Sequence, residues 1–143
     1  MSLSNPQVWL RIAAVVALLQ FAAHGTLFVR ARPRHGPEEA QVVELMKTRR
    51  FDFAGAKRSY WDMYFGYGIF AAFFCLVEAV LFWQLAGAGA GAGGLVKSVA
   101  LLFAVVNLAH IALVARFFFF VPAIPDAILF VALLMAWRSS GGG

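Results

Sequence analysis

Between Asp62 and Trp83 the chain carries one charged residue, Glu78, in a run with aromatic residues at both ends (YWDMYFGYGIFAAFFCLVEAVLFW, Tyr60 to Trp83). A helix needs about 20 apolar residues to cross a hydrocarbon core of roughly 30 Å, and this stretch is long enough. At helical spacing Tyr64, Tyr67, Ala71, Phe74 and Glu78 fall along one stripe. A carboxylate on that stripe is costly against lipid, so the stripe is expected to face protein or a hydrated cavity.

Other stretches repeat the pattern. Of the 143 residues, 62% are hydrophobic and 13% charged, where soluble domains average roughly 45–50% and about 25%. A soluble fold of this length could not hide so much apolar surface. The expectation is a single all-α domain, an integral membrane four-helix bundle with spans at about 8–29, 60–85, 96–119 and 123–138. The first apolar run has no basic segment ahead of it and contains Arg11, so a cleavable signal peptide is not expected. Ala86 to Gly94 reads as an uncharged, flexible turn, and Pro122 and Pro125 break the chain before the short last span.

The net charge of +5 is no sign of a nucleic-acid partner, because eight of the twelve Lys and Arg lie between Arg30 and Arg58. That cluster suits the anionic inner face of a membrane. Within it, Pro37, Glu38 and Glu39 read as a helix start; Val42, Val43 and Met46 make a narrow apolar face. A short amphipathic helix over about 37–50 is therefore expected at the membrane surface, with an ordinary solvated connector as the alternative. Nine Lys and Arg fall on the side of this loop and three, Arg11, Lys97 and Arg138, on the other. The positive-inside rule then puts the loop in the cytoplasm and both termini outside it, in a multi-pass inner-membrane protein. Cys75 is the only cysteine, which excludes an internal disulfide and a cysteine-rich metal site.

The candidate site residues are polar side chains inside these spans. Helix rise puts Gln20 roughly 18 Å and His24 roughly 24 Å below the start of the first span, Asn107 roughly 16 Å and His110 roughly 21 Å below the start of the third. Two amide–histidine pairs thus reach a common level, which Tyr64 and Tyr67 approach from the second span. Glu78 lies nearer the outer end, where Arg11 is a candidate ion-pair partner. Asp126 reads as a first-turn helix charge, and Asp62 as the partner of a loop arginine.

Several functions fit such residues. Packing alone is one, since polar side chains in membrane bundles hydrogen-bond between helices. A cavity for a hydrophobic or amphipathic small molecule is the favoured one, its head oriented by His24, Gln20, Asn107, His110, Tyr64, Tyr67 and Glu78. No cofactor is expected, although His24 and His110 could ligate haem b as a pair. Proton-linked transport would use the histidines or Glu78 as titrating groups. A non-catalytic accessory or assembly subunit needs no site. Catalysis is the less favoured variant, with histidine as general acid or base. Expected partners are the bilayer, anionic lipids at the Arg30–Arg58 loop, and a second copy or a larger membrane complex.

Three fragments, QFAAHGTLF (Gln20 to Phe28), RSYWDMYFGYGIF (Arg58 to Phe70) and AVLFWQLA (ending at Ala86), resemble a group of small four-transmembrane bacterial membrane proteins of unassigned function. The resemblance covers the chain to about Ala86 and is weakest in the last two spans. It implies the four-span architecture, singles out His24-Gly25 and Tyr60 to Gly66, and supplies no substrate. The layout is also loosely similar to emopamil-binding and sterol-isomerase four-span proteins, whose acid and histidine spacings are not matched here.

Overall fold

The computed structural model describes residues 5–30, 32–88 and 90–140, and most of them are helical. In chain order the elements are α1 (Pro6–Val29), α2 (Pro37–Thr48), β1 (Arg50–Phe53), β2 (Ala56–Ser59), α3 (Tyr60–Gly87), a 3-10 turn at Ala90–Ala92, α4 (Gly93–Phe117) and α5 (Ala123–Ser139). Helices α1, α3 and α4, of 24, 28 and 25 residues, are long and apolar enough to cross a membrane. Helix α5 has 17 residues, about 26 Å of rise, slightly less than a hydrocarbon core. Of the expected Ala86 to Gly94 turn, Gly89 lies outside the described residues.

The helix starts are written in local chemistry. Asn5 Oδ1 accepts the Gln7 N–H at 2.9 Å, with Pro6 in the first helical position of α1. At α3, Ser59 and Asp62 cap each other reciprocally: the Asp62 N–H donates to Ser59 Oγ at 3.0 Å and the Ser59 N–H to Asp62 Oδ2 at 2.9 Å. At α2, Glu39 Oε2 accepts the backbone N–H of His35 at 2.6 Å and that of Arg34. The exit turn and the start of α2 are thereby tied to one carboxylate.

The chain divides into two compact units, one of Met1–Gln20 with Cys75–Gly143 and one of Phe21–Phe74. The core of the first draws on four helices: Leu10, Ala13, Ala14 and Ala17 of α1, Ala79 and Phe82 of α3, Val96, Ala100 and Ala104 of α4, and Leu129, Ala132, Leu133 and Ala136 of α5. Three alanine pairs repeat one helical turn apart, Ala13/Ala17, Ala100/Ala104 and Ala132/Ala136, each fully buried or nearly so. Small residues at this spacing let backbones approach closely, which matters where lipid removes the hydrophobic incentive to associate. Phe82 meets Phe103 edge-on at 5.2 Å between ring centres. Arg11 falls beside this buried stripe, not on it. It is exposed, and the ion pair with Glu78 does not form among the described residues.

In the second unit, β1 and β2 form an antiparallel hairpin with Arg50 opposite Ser59 and Phe53 opposite Ala56. Its two-residue turn is Ala54-Gly55, at φ 54° and 86°. Both are left-handed, as the twist of a tight hairpin demands; glycine adopts this freely and alanine with strain. The Gly55 N–H donates to Asp52 Oδ1 at 2.7 Å and pins the turn. Phe51 and Phe53 pack against Tyr60, tilted and edge-on, at 5.3 and 6.1 Å between ring centres. The surface helix expected to run to Arg50 stops at Thr48, because Arg49 is already extended and Arg50 begins β1. Farther along α3, Gly68 lies directly under the Phe28 ring, where any Cβ would overlap it.

Candidate functional site

Helix periodicity brings Asp126 into the first unit. It shares a stripe with Leu129, Leu133 and Ala136, so packing that face of α5 carries the carboxylate inward, and the residue is 1% exposed. On α1, Gln20 continues the stripe of Ala13 and Ala17, and its Nε2 donates to Asp126 Oδ1 at 2.9 Å. On α4, His110 stands one turn beyond buried Asn107 and brings Nδ1 to 3.0 Å from Asp126 Oδ2. Three helices thus converge on one acid through an amide and an imidazole. A buried carboxylate in such surroundings is costly unless paired.

The pairing is incomplete. Gln20 Oε1 and Asp126 Oδ2 are both buried without a well-aligned donor among the described residues, and the His110 contact to Oδ2 is an ion pair only when the ring is protonated. The two atoms are acceptors, and the local chemistry favours a donor. Glu78 of α3, half-buried, lies within electrostatic reach of both Asp126 and His110. His110 itself leaves 56% of its side chain exposed while Asp126 is sealed. The ring can therefore meet a second group on its outer edge with the carboxylate fixed behind it.

The residues nominated from sequence divide between the units. Gln20, Glu78, Asn107 and His110 belong to the first, and His24, Tyr64 and Tyr67 to the second. Asn107 is buried, but its Nδ2 donates to the Phe103 carbonyl of its own helix at 2.9 Å. In the second unit His24 stacks on Phe28 at 4.9 Å, and Phe28 on Tyr64 at 5.3 Å. Tyr67 is 69% exposed. The central residue, Asp126, reads in the sequence only as a helix-dipole charge. The available signal was an acid in the stretch Phe117 to Trp137, which carries no other charged residue.

Among the described residues, no three His, Cys, Asp or Glu side chains gather closely enough to hold a metal ion. The loop arginine that partners Asp62 is Arg50, at 3.9 Å. No protein-family model, curated protein or solved structure matches the chain.

Proposed function

We propose that this is a four-span protein of a bacterial inner membrane, both termini outside the cytoplasm, that binds a small amphipathic molecule at Asp126. The observation that carries the reading is the convergence of Gln20 and His110 on a sealed carboxylate whose neighbourhood retains two buried acceptors. A polar ligand head would meet the exposed edge of the His110 ring, with the sealed Asp126 carboxylate behind it, and apolar surroundings suit its tail. Helix α5 serves as the fourth span, tilted little because its length is marginal. Binding is the assigned role, with no bond made or broken.

The test is native mass spectrometry of protein released from its own membranes in mild detergent. Wild type should carry a bound small amphiphile. Asp126→Asn keeps the shape of the site but removes its charge, and should lose the molecule with helix content unchanged. Equal retention by wild type and Asp126→Asn would reject the site.

One observation favours a second reading, an accessory or assembly subunit. A half-exposed imidazole is poorly placed against lipid and well placed against another chain. Cross-linking from a cysteine at His110 to a distinct membrane protein, with no bound amphiphile, would select it.

A further inference from the structure

The second unit presents a cleft of about 360 Å³ at the start of α3, lined by Arg50, Arg58, Trp61, Asp62 and Phe65. We infer that this cleft binds the phosphate of an anionic headgroup, independently of any ligand at Asp126.

Two arginines line the cleft, Arg50 from β1 and Arg58 from β2. Each carries five N–H donors in a planar fork that suits phosphate. Arg58 spends one on the Lys57 carbonyl, at 3.0 Å. Arg50 lies 3.9 Å from Asp62 Oδ2, within ion-pair range but beyond hydrogen-bond range. Asp62 meanwhile accepts the Ser59 N–H. The carboxylate offsets part of the cleft's positive charge, and both arginines keep N–H donors for an outside acceptor. Lys47 sits 4.6 Å over the Trp61 ring and adds a third positive charge beside the cleft. Against these three cations stands the one carboxylate.

Depth selects the source of the phosphate. Tyr60, Trp61 and Tyr64 cluster where the apolar run of α3 begins, and Trp and Tyr gather at the headgroup level of a bilayer. An anion at that level is the headgroup of a lipid, whereas free phosphate would have to enter from water. Phe65, one helical turn beyond Trp61 along α3, also lines the cleft and continues toward the acyl chains.

The experiment reconstitutes the full chain in nanodiscs of mixed phosphatidylglycerol and phosphatidylcholine and counts retained lipid by native mass spectrometry. Wild type should prefer phosphatidylglycerol. Arg50→Gln and Arg58→Gln should each cut that preference on the order of fivefold. The double variant Arg32→Gln/Arg34→Gln removes two charges outside the cleft, one more than either single variant, and should still retain the preference. Arg58→Gln keeps the Arg50–Asp62 pair and so reports on the cleft even if Arg50→Gln loosens the hairpin. A parallel arm titrates inorganic phosphate in neutral detergent and follows Trp61 fluorescence in a Trp9→Phe/Trp83→Phe/Trp137→Phe background. Saturation there without lipid preference would reassign the cleft to free phosphate. Equal losses in the cleft and control variants, or no preference in wild type, would overturn the site.

Discussion

Asp126 Oδ2 stands 3.0 Å from His110 Nδ1, joining a carboxylate that is 1% exposed to a ring that is mostly accessible. The carboxylate depends on the ring more than the ring depends on it. His110→Leu strands a buried acid with Gln20 as its one remaining partner among the described residues, and should cost about 1–3 kcal/mol. Asp126→Leu removes acid and need together, so the double variant should recover part of that loss. Reversible unfolding in mixed micelles measures all three. Additive losses would mean that the contact carries no coupling.

Gly68 and Phe28 make a tighter statement. A methyl at position 68 overlaps the Phe28 ring, so Gly68→Ala must displace that ring from its contacts with His24 and Tyr64. A loss of about 1–3 kcal/mol is expected. Gly66→Ala meets nothing nearby and controls for helix propensity. Similar losses in both variants would show that the close approach is unimportant.

The Glu39 carboxylate accepts the backbone N–H groups of His35 and Arg34, which hold its pKa below the ordinary 4.5. The folded value is the lower one, so the contribution to stability is present above the unfolded pKa and fades as pH falls through the folded value. The start of α2 should therefore fray on acidification into and below the ordinary carboxylate range. Amide exchange at His35 read by NMR measures it, and Glu39→Gln should flatten the dependence. A pH profile unchanged by that substitution would remove Glu39 from the account.

Sequence showed the apolar spans because length and hydropathy are local properties, and Glu78 was marked by isolation. The hairpin was visible too, in the alternation Arg50-Phe51-Asp52-Phe53 before a glycine. Its trace is weak because Ala54-Gly55 lacks the asparagine or aspartate that advertises a left-handed turn. The contacts around Asp126 were legible only in part. Depth estimates singled out Gln20 and His110, yet depth cannot tell which way a side chain turns. Gln20 reaches across to α5, whereas Asn107, drawn from the same argument, bonds back to its own helix. Asp126 hid behind Pro125, where an acid has a ready explanation as a first-turn charge.

The alanine rows leave open how α5 finds its setting along its neighbours. Ala132 and Ala136 are one turn apart and nearly interchangeable in shape, as are Ala13/Ala17 and Ala100/Ala104. A slip of one turn, about 5.4 Å, would exchange methyl for methyl at small cost. Asp126 has no twin one turn away. The same slip would pull its carboxylate from Gln20 Nε2 and His110 Nδ1 and leave it among apolar groups. The alanine seam thus acts as a smooth track, and the acid as the pin that indexes it.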